Sequence, residues 1–119
     1  MYAFDGKLSC LTKDHSLVQE LVDAGTITEE QAKVHPDKNY ITRALGIEER
    51  INIDFSEYSY DAKEKILLCS DGLTNYVSEK EITSILAEGP VDDRAAALIA
   101  AANRNGGGDN ITAVVIAKQ

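Results

Sequence analysis

From Ile66 to Cys69 every residue is apolar, and the run stops at Ser70-Asp71-Gly72. A strand with one wet face alternates apolar and polar side chains, so an unbroken apolar run reads as a strand covered on both faces. The closing segment from Asn110 to Lys118 makes the same demand. There Ile111, Ala113, Val115 and Ala117 face one way and Thr112, Val114 and Ile116 the other, the pattern of a buried strand. A chain with 44% hydrophobic residues has the means to build such a core, and disorder is excluded on the same ground.

The remaining periodicities fill in the order of elements. Tyr2-Ala3-Phe4, then Asp5-Gly6, then Lys7 to Leu11 reads as a hairpin on a type I′ turn, where glycine accepts the positive φ. Leu17, Val18, Leu21 and Val22 form a helical stripe between Ser16 and Ala24, stopped by Gly25. Thr28 and Gln31 have capping-box spacing for a second short helix that Pro36 ends. Ile51, Ile53 and Phe55 alternate with polar residues, as in a half-buried strand. Ser78 to Glu81 repeats the capping-box spacing ahead of Ile82, Ile85 and Leu86. The Ala-rich run from Asp92 to Asn105, acidic at its start and with Arg104 at its end, suits a closely packed helix. Strands, helices, strands, helices and a final strand, without repeated βαβ alternation, give an α+β fold with antiparallel pairing in one domain over residues 1–119.

Charge and composition narrow the partners. Of 119 residues, 12 are Lys or Arg and 20 are Asp or Glu, for a net charge of −8, so no nucleic-acid partner is expected. No apolar run approaches the roughly 18 residues of a membrane span. The opening Met1-Tyr2-Ala3-Phe4-Asp5 lacks a secretory pattern, and no membrane partner is expected for this segment. Cys10 and Cys69 lie between apolar neighbours with no CxxC spacing, which reads as free thiols in buried strands and a cytoplasmic setting.

Two places break the structural pattern: Ser70-Asp71-Gly72, and Gly106-Gly107-Gly108-Asp109-Asn110. Each sets a carboxylate where the interior of a sheet meets its rim. A buried unpaired carboxylate costs several kcal/mol, so such groups pair with a cation or bind a metal. Oxygen ligands flanked by glycine suit Mg²⁺ or Mn²⁺ rather than zinc. The same dipeptides are also ordinary turn chemistry, and both readings stand at this point. His15 reads as a helix-start residue beside an Asp14 cap. His35, before Pro36, reads as a loop residue. Arg43 suits either a phosphate contact or an acidic partner.

Four stretches carry a family resemblance: Leu11-Thr12-Lys13-Asp14-His15-Ser16; Ala32-x-x-His35-Pro36 leading to Asn39-x-Ile41-Thr42-Arg43-Ala44-Leu45-Gly46; Leu67-Leu68-Cys69-Ser70-Asp71-Gly72-Leu73; and Gly107-Gly108-Asp109-Asn110-Ile111-Thr112. In order and spacing they resemble the C-terminal half of a bacterial PP2C-type (PPM) protein phosphatase. The resemblance implies an antiparallel β-sandwich flanked by helices, of which this chain has the C-terminal portion. It implies a metal-dependent phosphoserine/phosphothreonine phosphatase that hydrolyses phosphate esters with a metal-activated water, acting on phosphorylated Ser/Thr proteins. Asp71 and Asp109 match aspartates that bind Mn²⁺ or Mg²⁺, while Gly72 and Asn110 shape the site. Residues from about 25 to 46 resemble a flap, with His35 and Arg43 placed to bind substrate.

The departures are as informative as the match. The family's N-terminal acidic pair, its bridging Asp-Gly motif and its basic phosphate-gripping residue are not in this chain. Asp5-Gly6 lacks the Gly-Gly-His continuation that would replace them. Weak metal binding and little or no phosphatase activity are therefore expected of this chain alone. An uncovered sheet is expected to favour self-association. A competing reading is a non-catalytic PP2C-like binding or regulatory module.

Overall fold

The computed structural model describes residues 1–118. Two compact units emerge, one from Met1–Thr12 together with Ser59 onward, the other Lys13–Tyr58.

The first unit contains an antiparallel sheet and the helices that cover it. Its strands are β1 (Tyr2–Phe4), β2 (Leu8–Cys10), β3 (Lys65–Cys69) and β4 (Ala113–Ala117), in the order β2-β1-β3-β4. The α+β expectation with antiparallel pairing holds. Leu67 stands opposite both Tyr2 and Val115, which places these three on one face. Onto that face pack α3 (Asp71–Thr74), α4 (Glu79–Ala87) and α5 (Arg94–Arg104), the last preceded by a 3-10 turn at Val91–Asp93. Phe4, Leu67, Leu73, Val77, Ile82, Leu86 and Leu98 form the core with Ala101 and Ala102. The small side chains of α5 let its backbone come close to its neighbours.

Several details differ from the sequence-based expectations. The hairpin loop holds three residues, because Phe4 pairs with Leu8. Only Gly6 in it has a positive φ, +101°, whereas a type I′ turn needs two such residues. β3 and β4 are covered on one face and only partly on the other, where Ile66 is buried but Leu68, Val114 and Ile116 are 40%, 49% and 42% exposed. Cys10 is exposed on the edge strand β2 and Cys69 is half-buried, and neither forms a disulfide. At α4, Ser78 accepts the Glu81 N–H as expected, but the Glu81 carboxylate turns to Asn105 at 3.0 Å and Arg104 at 3.6 Å. The four-residue α3 was not foreseen, being too short to show a period.

The second unit holds α1 (Leu17–Asp23), capped by Ser16, and α2 (Glu29–Val34), whose Thr28–Gln31 capping box is complete. Ser16, not Asp14, is the cap, since its side chain accepts the Gln19 N–H. Residues 51–56 form no strand, and Ile53 and Phe55 are 83% and 85% exposed. Their alternation marks one side for burial, but among the described residues nothing pairs with that segment as a strand. No helix among the described residues is long and apolar enough to cross a membrane.

Candidate functional site

β3 ends at Cys69 opposite Ala113, where β4 begins. The chain leaving one strand and the chain entering the other thus emerge at the same end of the sheet. They stay joined beyond the ladder. Ser70 N–H donates to Thr112 O at 3.0 Å, and Thr112 N–H returns a bond to Ser70 Oγ at 3.1 Å. Ser70 Oγ–H also lies 3.4 Å from Asn110 O. This pairing carries Asp71, at the start of α3, and Asp109 to one rim.

Gly72 is what allows the two segments to touch. A Cβ there would overlap the Asn110 carbonyl oxygen, stand 3.0 Å from its carbon and lie 3.6 Å from the Asp109 Cβ. Asn110 in turn orients its neighbour, donating its N–H to Asp109 Oδ1 at 2.7 Å. The glycines before Asp109 are shaped by Tyr76, whose ring would lie 3.3 Å from a Cβ at Gly106 and 3.2 Å from one at Gly108. Asn105 fastens the loop by donating from Nδ2 to Tyr76 O at 2.9 Å and to Glu81 Oε2 at 3.0 Å. Sequence reasoning assigns no site role to Tyr76, Asn105 or Ser70. The triple glycine was the available signal, since such a run invites close approach by a neighbour.

Asp71 and Asp109 are both exposed, and no polar or charged residue among the described ones is buried. This corrects the burial argument for a metal: neither carboxylate needs a cation to offset desolvation. No group of three or more His, Cys, Asp and Glu gathers among the described residues. Two exposed carboxylates on touching segments fit part of the oxygen shell of Mg²⁺ or Mn²⁺, ions that keep several waters.

His35 and Arg43 belong to the second unit. His35 ends α2, and its Nδ1 accepts the Asp37 N–H at 3.1 Å. Arg43 Nη1 donates to Asp54 Oδ1 and to Asn52 O, each at 3.0 Å. The acidic-partner reading of Arg43 is therefore the one observed. His15 Nε2 meets the other oxygen of the same carboxylate, Asp54 Oδ2, at 2.6 Å, so His15 serves a long-range contact rather than a helix start. Beside Arg43 lies a cavity of about 210 Å³ lined in part by Glu20, Thr42 and Asn52, and Thr42 Oγ1 is buried without a hydrogen-bond partner.

The His15 contact, and after it the Arg43 guanidinium, hold the Asp54 carboxyl below its ordinary value of 3.8. A depressed carboxyl favours the folded form above the ordinary pKa, and that contribution disappears as pH falls through the lower folded value. His15→Ala is expected to return Asp54 toward 3.8, with Arg43→Ala producing a smaller rise. Carbon-detected NMR titration of the Asp54 carboxyl measures both, and unchanged titration in both variants would refute the cluster.

No family model matches the chain. It is 44% identical over 107 residues to the serine/threonine phosphatase stp of Listeria monocytogenes serotype 4b, covering 89% of this chain and 42% of that protein. The crystal structure of the Mycobacterium tuberculosis serine/threonine phosphatase PstP/Ppp superposes with a TM-score of 0.91 at 39% identity, over 99% of this chain and 51% of that one. A catalytic domain of PstP in complex with two manganese ions superposes with a TM-score of 0.76 at 41% identity, over 96% and 47% respectively. The chain spans less than half the length of the Listeria relative it matches. With the antiparallel sheet, its flanking helices and the paired Asp71 and Asp109 segments already in place, these likenesses assign the chain to the bacterial PP2C-type (PPM) serine/threonine phosphatase family, as the C-terminal half of its fold.

Proposed function

We propose that this chain is the metal-holding C-terminal portion of a metal-dependent phosphoserine/phosphothreonine protein phosphatase, inactive or nearly so by itself. The observation that carries this reading is the junction of Gly72 with Asn110, which brings the Asp71 and Asp109 segments to one rim. Bound there, Mn²⁺ or Mg²⁺ would supply positive charge for phosphoryl oxygens and make water a better nucleophile. Asp71 and Asp109 provide the negative charge that holds such an ion, and neither acts as a nucleophile. Asn110 fixes the orientation of Asp109 through its N–H. Gly72 keeps the two segments within reach of each other.

Residues 25–46 are the flap of this domain, with His35 and Arg43 as contacts for phosphorylated Ser/Thr proteins. His35 Nδ1 is occupied within its own loop, so a phosphate contact falls to Nε2. Arg43 would exchange Asp54 for phosphate, which suits a planar guanidinium. The same reading places the protein in the cytoplasm and has the isolated chain self-associating through its uncovered sheet.

Two carboxylates are few for a hard divalent ion, so the chain alone is expected to bind Mn²⁺ weakly and to turn over p-nitrophenyl phosphate at background. Calorimetric Mn²⁺ titration should show the weak binding disappear in Asp71→Asn and in Asp109→Asn. Equal binding by both variants would remove the site assignment. Rapid turnover by the chain alone would remove the inactivity. Absence of any Mn²⁺ binding would favour the non-catalytic module.

A further inference from the structure

Three consecutive glycines lead into Asp109, and a glycine run is the most permissive backbone a chain can have. A carboxylate on such a leash has no fixed position unless something outside the run supplies one. Part of the hold comes from the end of α5. Gly107 N–H donates to Ala102 O at 3.0 Å, and a Cβ at Gly107 would stand 2.8 Å from Asn103 Oδ1. Nearer to Asp109 the neighbour is Tyr76, which follows α3 and is half-buried against the core. One edge of its ring runs along the loop: Cε1 and Cδ1 would lie 3.3 and 3.5 Å from a Cβ at Gly106, and a Cβ at Gly108 would overlap the hydroxyl.

Asn105 ties this edge to the loop. It is the residue just before the glycines, and its Nδ2 donates both to Tyr76 O and to Glu81 Oε2 on α4. The other Glu81 oxygen faces Arg104, so the anchor is itself paired. Neither Tyr76 nor Asn105 belongs to the acidic rim, yet between them they leave the glycines one path. We infer that Tyr76 and Asn105 are positioning residues for Asp109, holding the glycine run in one conformation so that the carboxylate is ordered before an ion arrives. Groups that orient a metal ligand from behind govern affinity strongly, because ordering already present need not be supplied on binding. The inference rests on the proposed metal-holding role of Asp109, but its first consequence, an ordered loop, needs no metal.

Tyr76→Ala and Asn105→Asp are the informative variants. The first removes the ring edge. The second keeps the shape of the side chain but sets a carboxylate oxygen against Glu81 Oε2 and Tyr76 O, where a donor stood. Backbone amide relaxation of the metal-free chain should show Gly106 to Asn110 gaining fast motion in both variants. Mn²⁺ affinity, read from paramagnetic broadening of the Asn110 amide, should fall about tenfold. Tyr76→Phe retains the ring edge and should stay close to the parent. Phe4→Leu is a core change at the opposite end of the sheet, and it should lower stability while leaving loop and affinity alone. The inference is overturned if the loop stays as ordered in Tyr76→Ala and Asn105→Asp as in the parent, or if Tyr76→Phe loses as much as Tyr76→Ala. It is equally overturned if Phe4→Leu reproduces the loosening, or if a loosened loop binds Mn²⁺ as before while Asp109→Asn does not. Mn²⁺ binding that is absent, or unchanged in Asp109→Asn, would remove the metal-holding reading instead. A loop loosened by both variants would then still establish Tyr76 and Asn105 as the residues that place Asp109.

Discussion

Gly72→Ala is expected to lower the melting temperature of the chain by about 10 °C, corresponding to roughly 3 kcal/mol for a domain of this size. The estimate sits at the upper end for overpacking because the new methyl meets main chain, the Asn110 carbonyl, and not the flexible end of a side chain. The backbone of Asn110 is held at both its N–H and its C=O. Asn110 N–H is bonded to Asp109 Oδ1, and Asn110 O faces Ser70 Oγ–H. Relief of the overlap would therefore push the Asp109 segment away from Asp71, and Mn²⁺ affinity should fall along with stability. Thermal melts by circular dichroism, paired with Mn²⁺ titration of the folded variant, measure both effects. A melting point within about 2 °C of the parent would show that the segments are not wedged as described.

Leu67→Ala should cost about 2 to 5 kcal/mol, whereas Leu68→Ala, one residue further along the same strand, should cost about 1 kcal/mol or less in the isolated chain. Leu67 has no exposed surface and touches the helical core, so truncation leaves a cavity in close-packed surroundings. Leu68 is 40% exposed and loses less. Because a domain keeps only about 5 to 15 kcal/mol in reserve, Leu67→Ala alone could consume much of it. Urea unfolding midpoints at an unchanged slope separate the two variants. Equal losses would mean that the two faces of β3 are equally covered.

Local features of the fold were legible in the sequence because their causes lie within a few residues. Ser16 and Gly25 bound α1, Thr28 and Gln31 cap α2, and Ile82 and Leu86 mark the buried side of α4. Hydrophobic period failed where it depended on a partner. It states which face is fit for burial, and Ile53, Phe55, Leu68 and Val114 are fit for it without being buried here. The site shows the same division. Asp71 and Asp109 stood out by their glycine neighbours, but Tyr76 and Asn105, which shape and fasten the loop, carry no local signal. His15 and Asp54 are 39 residues apart, and no short spacing announces a contact over that distance.

The bond from Ser70 to Asn110 spans 40 residues and crosses the whole excursion through α3, α4 and α5. The rim therefore rests on contacts far apart in sequence, whose loop-closure cost is offset by the pairing of β4 with β3, whereas a helix or a hairpin is held by local contacts. A divalent ion added to the unfolded chain should leave the refolding rate unchanged and act by slowing unfolding.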